Sequence, residues 1–290
     1  MATVETTAAV PRALDEAVAR IHEVSTLPHV ALRVMEVAGD PKSGACEVKE
    51  ALEADAALSA RVLRCVNSSA YAVRTRITNL QHAIAYLGIQ QIRNLAMTAS
   101  VSELFRNDTT VGTYRRVGLW RHLVSVGIGA RLIAMRSRFA NFEDVFLAGL
   151  LHDVGIILED EHLHEGFCKV IDSHTEGTTL CERERRCLGF DHTELGGAIT
   201  EAWKFPEGVV ATVRHHHDSA ECRGAHVDMI RCVEVSNVIC SLKVAPSVGV
   251  NLVEFPKTAI AGLRLTREDL IVLIEDLERE IESHESLFQM

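Results

Sequence analysis

The chain has 290 residues, 47% apolar and 24% charged, with a formal net charge of −10 and an isoelectric point near 5.8. That balance suits one large globular domain or two smaller ones sharing an interface, and it excludes a disordered chain. It also argues against a DNA-binding role, because phosphate neutralisation needs a basic face and acidic residues flank the Arg183–Arg186 cluster.

No apolar run approaches the ~20 residues of a membrane helix. Met1–Pro11 lacks Lys and Arg and carries Glu5, unlike a secretory signal. A soluble, cytoplasmic protein with no membrane partner is expected. The eight cysteines have no CxxC spacing and read as reduced, largely structural thiols.

In chain order, residues 1–12 read as a flexible leader. Leu14, Val18 and Ile21 then recur at helical spacing. Pro28 restarts the helix, and a second run through Val30, Val34 and Val37 ends at Gly39. Further helices are predicted at 46–53, 55–68, 79–87 and 89–105. The polar stretch 106–116 reads as a hand-over between a lobe at 13–110 and a second at 111–290. Helices follow at 116–136, 141–158, 178–189, 191–203, 206–217, 225–243 and 266–285, with longer loops at 158–176 and 244–258. Thr266 with Asp269 resembles a capping box, and Leu270, Leu273, Ile274, Leu277 and Ile281 form an apolar stripe behind it. Strand-like alternation is almost absent, so the expected fold class is all-α.

The chemistry gathers around His152-Asp153, which follows the apolar run Val145–Leu151. A histidine and an aspartate buried there are costly unless they pair or bind something. His122 sits on the preceding helix, His192 opens the segment DHTELGG, and His215-His216-His217 precedes Asp218. Imidazole and carboxylate are a ligand set for Zn, Fe, Mn and similar ions, and facing helices are a usual way to converge them. Each piece also has a plain alternative: a core histidine, a helix cap, an exposed helix end. His22, His29, His82, His162, His164, His174, His226 and His284 have no such context and read as surface or structural.

The order His … His-Asp … His … His-His resembles the HD phosphohydrolase superfamily, including the HD-GYP phosphodiesterases. The chain more specifically resembles the HDOD (HD-related output domain) family, over roughly residues 15 to 245. Five blocks carry the resemblance: TLPHVALRVMEVAGDPKSG, EADAALSARVLRCVNSSAY (with Ala56 where the family usually has Pro), ITNLQHAIAYLGIQQIRNLAM, FLAGLLHDVG and DHTELGGAITEAWKFPEGVVATVRHHHD. It implies an N-terminal helical lobe packed on an HD-like helical core. It also implies His122, His152, Asp153, His192, His216 and His217 as ligands of a divalent metal, Fe or Mn ahead of Zn, with the choice within the His215–His217 triple open.

Two departures qualify the resemblance. The later Asp of the catalytic superfamily corresponds to Asn237, and the Lys that HD-GYP enzymes carry three residues after the HD Asp is Ile156. No GYP motif follows the His triple. A regulatory output protein without catalytic activity, acting on another signalling protein and with self-association left open, is therefore the leading expectation. A metal-dependent hydrolase of a nucleotide or cyclic dinucleotide is the alternative. Arg121 and Arg214 are the sequence neighbours that could supply charge to a phosphate.

Overall fold

The computed structural model describes residues 9–24, 27–173, 177–249 and 254–289. Its N-terminal half runs α1 (Ala9–Val24), α2 (His29–Gly39), α3 (Ala45–Glu53), α4 (Ala56–Val66), α5 (Leu80–Leu87) and α6 (Ile89–Val101). A two-residue ribbon, β1 (Thr110–Val111) against β2 (Tyr114–Arg115), falls in the polar hand-over stretch. Then follow α7 (Arg116–Arg136), α8 (Phe142–Leu151), α9 (Val154–His162), α10 (His164–Asp172), α11 (Leu180–Leu188), α12 (His192–Ala202), α13 (Glu207–His215), α14 (Val227–Lys243), α15 (Lys257–Gly262) and α16 (Arg267–Ser283). Among the described residues the ribbon is the only sheet, and the all-α expectation holds. No helix among them is long and apolar enough to cross a membrane.

Local chemistry sets most boundaries. Asp55 caps α4 by accepting the N–H groups of Ala57 and Leu58, and Asp191 caps α12 through Thr193 and Glu194. Thr266 and Asp269 form the expected capping box at α16, where Leu273, Leu277 and Ile281 are buried.

Four expectations change. The helix foreseen over 141–158 is two helices, because the backbone turns at His152-Asp153 between α8 and α9. The loop foreseen over 158–176 is mostly helical, completed by α9 and α10. The loop foreseen over 244–258 ends in α15, while residues 250–253 lie outside those described. The helix α1 opens at Ala9, within the stretch read as a leader, and residues 1–8 lie outside those described.

The core that positions the site is built on α7 and α8. Val145 to Leu151 are all buried, and α8 packs on α6, α7, α13 and α14. Two glycines permit close helix approach. A Cβ on Gly149 would lie 2.9 Å from the Cα of Gly127 on α7, and one on Gly155 would lie 2.8 Å from the backbone carbonyl carbon of His192 on α12. Real Cβ atoms do not approach so closely, so bare backbone is required at both crossings. The α9–α12 contact sets the position of His192 against the α8–α9 turn.

Gly155→Ala is therefore expected to cost about 1–3 kcal/mol through overpacking, read as a lower midpoint in urea denaturation. An unchanged midpoint would show that α9 and α12 can part without penalty.

Candidate metal centre

His122 comes from α7, His152 and Asp153 from the α8–α9 turn, His192 from the first turn of α12, and His216 and His217 from the residues that close α13. The structure brings all six together around the Asp153 carboxylate. Oδ1 lies 3.3 Å from His192 Nε2 and 3.1 Å from His216 Nε2, while His192 Nε2 and His217 Nε2 are 3.1 Å apart. On the opposite side, Oδ2 lies 3.2 Å from His152 Nε2 and 3.7 Å from His122 Nε2, and those two nitrogens are 3.3 Å apart. Within the triple, His215 is exposed at the end of α13, whereas His216 and His217 turn to the carboxylate.

Behind the cluster, the outer ring nitrogens are engaged. Nδ1 of His122 faces the Ala245 carbonyl at 2.7 Å, that of His152 the Gly149 carbonyl at 2.8 Å, and that of His216 the Val213 carbonyl at 2.9 Å. A carbonyl only accepts, so each Nδ1 carries the hydrogen and, in the neutral ring, Nε2 presents its lone pair inward. His192 is held differently. Glu184 Oε2 accepts both its Nδ1–H at 2.7 Å and its backbone N–H at 3.0 Å. Imidazoles that ligate metals are characteristically fixed from behind in this way. Two inward atoms, Asp153 Oδ1 and His216 Nε2, are buried without an aligned hydrogen-bond partner. Orphaned acceptors at this density are expensive in a dry interior and are relieved by a cation. The residues present fit a divalent metal.

The electrostatics follow from this geometry. Burial, reinforced by the charge of His152, pushes His122 down to about 4. Burial likewise holds His216 below its ordinary value and, with repulsion from His216 and His192, holds His217 well below. Desolvation also opposes a charge on His192, but the Glu184 carboxylate outweighs it and holds that imidazole well above its ordinary value. Burial disfavours ionisation of Asp153, yet the charge of His152 and the imidazoles of His152, His192 and His216 that face it keep its carboxyl well below the usual range. Behind Glu184 sits Glu159, fully buried; desolvation and the Glu184 charge hold it well above the usual range, as a neutral acid.

A cavity of about 450 Å³ opens onto the cluster; its lining includes Asp153, His192, His216, His217 and Asn237, the cations Arg185 and Lys257, and the acids Asp218, Glu234 and Glu254. Asn237 is buried on α14, and its Oδ1 accepts from Ser241 Oγ at 3.2 Å. Ile156 is fully buried and offers no charge. The cationic neighbours foreseen from sequence are elsewhere: Arg121 lies over the Phe288 ring and Arg214 pairs with Glu201. Arg185, bound to Asp191, and Lys257 take their place at the cavity.

Sequence reasoning missed Glu184, Glu159, Arg185 and Lys257. It also missed that Cys181 lies beside Glu184 and His192; burial pushes this thiol up to about 12, so it is a protonated wall residue. Cys65, Cys232 and Cys240 are buried, and no cysteine among the described residues is in a disulfide. Of the histidines read as surface or structural, His284 is buried and bonded to the Glu280 carbonyl, His29, His82 and His226 are exposed or half-exposed, and His164 contacts Asp160. His174 and the side chain of His22 lie outside the described residues.

Residues 24–219, more than half of the chain, match the model for the HDOD domain. In fold the chain is similar to the crystal structure of an HDOD domain protein of unknown function from Geobacter sulfurreducens. That match has a TM-score of 0.77 and 27% identity, and covers 96% of this chain and 98% of the other. A candidate phosphohydrolase from Shewanella amazonensis SB2B shares the fold with a TM-score of 0.71 and 21% identity, over 96% and 97% of the two chains. An uncharacterised protein of Treponema pallidum (strain Nichols) is 22% identical over 223 residues, 76% of this chain; the chain spans 42% of that relative's length.

The lowered pKa values have a definite consequence for the metal-free protein. Between the ordinary histidine value of 6.5 and about 4, the unfolded chain binds protons that folded His122, His216 and His217 refuse, so stability falls as pH drops through that window. His192 runs the other way, its contribution complete below 6.5 and lost as pH rises through its elevated folded value. Glu159, held neutral in the fold, also runs the other way, losing its contribution as pH rises above its ordinary 4.5; the three imidazoles against these two groups predict a lower urea midpoint at pH 5 than at pH 7. A midpoint that rises on acidification would contradict the neutral state of the three.

Proposed function

The chain belongs to the HDOD domain family, and on that premise we propose that it is a regulatory output protein whose His/Asp cluster binds a divalent metal without hydrolysing a substrate. The observation that carries the metal is the Asp153 carboxylate, faced on both oxygens by imidazole Nε2 atoms that are fixed from behind. His122, His152, Asp153, His192, His216 and His217 hold it. The nitrogen-rich set with one carboxylate suits Fe or Mn ahead of Zn, since a cluster of five imidazoles exceeds the closed four-coordinate shell that zinc prefers.

Asn237 and Ile156 support the non-catalytic reading. An amide at 237 is neutral and its oxygen already accepts from Ser241. An aliphatic side chain at 156 supplies no cation to a developing phosphoryl charge. Output then runs through a partner protein, which reads the packing of α9 and α12 around the loaded or empty centre.

The cavity favours a second reading. It admits a small ligand beside the cluster and sets Arg185 and Lys257 among Asp218, Glu234 and Glu254, and a structural relative is a candidate phosphohydrolase. A divalent cation held there supplies Lewis-acid polarisation of a phosphoryl oxygen.

Metal analysis of purified protein, combined with phosphodiesterase and nucleotidase assays, separates the two. The proposal expects about one or more equivalents of Fe or Mn, its loss in His152→Ala, retention in His215→Ala, and no phosphate release. Turnover by the metal-loaded protein would replace the regulatory reading with the hydrolase. Metal content unchanged in His152→Ala would remove the centre itself.

A further inference from the structure

Outside the Asp153 cluster, α9 and α10 carry a second line of chemistry-bearing side chains. Asp160, His164 and Cys168 recur at every fourth position across the joint between the two helices, which places them on one face. His164 Nδ1 lies 3.0 Å from Asp160 Oδ1 and 3.1 Å from the Asp160 carbonyl oxygen. Both oxygens only accept, so Nδ1 carries the hydrogen and, in the neutral ring, Nε2 offers its lone pair on the far side. Cys168 Sγ stands 3.6 Å from that nitrogen, where its thiol hydrogen finds an acceptor.

The inner end of this line is fixed by the core. Asp160 is buried, and its Oδ2 accepts from Arg116 Nε and from the Tyr114 hydroxyl at 3.1 Å. Tyr114 in turn packs edge-on against Phe167 of α10, with ring centroids 4.8 Å apart. The second oxygen of this buried carboxylate serves an imidazole whose side chain is 51% exposed. A pair that merely joins two helices needs no third member. Here a partly exposed thiol occupies the free nitrogen, giving nucleophile, base and orienting carboxylate in order. Cys46, the exposed thiol on α3, has the opposite environment: Glu50 accepts its hydrogen at 3.5 Å, and that bond and the carboxylate charge push the thiol up.

We propose that Cys168 is a modification site, a surface thiol that His164 activates for exchange with small disulfides. As Sγ attacks one sulfur of a disulfide RSSR, the thiol proton passes to His164 Nε2. The S–S bond breaks, the leaving RS⁻ takes up that proton, and the products are the Cys168 mixed disulfide and RSH. The disulfide is the oxidant: one of its sulfurs is reduced to a thiol as Cys168 is oxidised. Asp160 positions the ring and faces the imidazolium that forms between the two proton transfers.

The test exposes the reduced, full-length protein at pH 7 to hydroxyethyl disulfide, a neutral probe on which the net charge of the chain has little hold. Peptide mass spectrometry reads the rates at Cys168 and Cys46 in the same molecules. A free thiol is only a few per cent ionised at neutral pH, so activation has room to show. Cys168 is expected to react at least about tenfold faster than Cys46. His164→Gln, at the surface, should remove most of that ratio while the Cys46 rate stays constant. Asp160→Asn should lower the ratio as well, whereas a purely structural role would move only its urea midpoint. Cys46 reacting as fast as Cys168, or a ratio unchanged in His164→Gln, would overturn the proposal.

Discussion

A carboxylate fully removed from water must be compensated, and at Asp153 the compensation comes from imidazoles contributed by three other places in the fold. That requirement ties α7, the α8–α9 turn, α12 and the end of α13 into one arrangement. Four of the five imidazoles are in turn fixed by a backbone carbonyl or by Glu184, so the cluster depends on main-chain atoms of Gly149, Val213 and Ala245 lying where they do. The backbone positions depend on close helix crossings, which bare glycine backbone at 127, 149 and 155 permits. Core packing and site chemistry are thus one constraint seen at two depths.

This constraint explains why the HD pair falls between two helices rather than inside one. Had 141–158 continued as a single helix, His152 and Asp153, as adjacent residues, would diverge by about a hundred degrees around the axis. The turn lets both side chains meet the same centre, with the His152 ring bonded back to the Gly149 carbonyl. A second consequence is electrostatic asymmetry. Glu184 charges one face of the cluster and leaves the other to neutral carbonyls, so the same six residues make two unequal environments.

Much of the fold and the ligand set was legible in the sequence because the signals were local. Asp191 with Glu194 and Thr266 with Asp269 announce helix starts, and a polar His-Asp pair directly after seven apolar residues is conspicuous. The break between α8 and α9 was not legible, since apolar residues resume at Val154 and run through Ile156–Leu158 on the far side of the His-Asp pair. The helices α9 and α10 were missed over 158–176 because EDEHLHEG is dense in polar residues, although Phe167, Val170 and Ile171 are buried. Glu184 was hidden for a related reason. In ERERR, alternating charges look like a solvated helix face, yet Arg183 and Glu184 are both buried, Glu184 against His192 of α12. Arg185 and Lys257 meet at the cavity across more than seventy residues of chain, a juxtaposition no local pattern encodes, whereas Arg121 and Arg214, adjacent in sequence to the histidines, point away.

The measurement closest to the central claim is X-ray absorption at the metal edge of protein purified with its bound metal. Asp153 ringed by imidazoles predicts nitrogen and oxygen scatterers at first-shell distances together with the outer-shell multiple scattering of several imidazole rings, and loss of that imidazole signature in His216→Ala. A protein that purifies without metal, or a bound metal surrounded by oxygen or sulfur with no imidazole scattering, would contradict it.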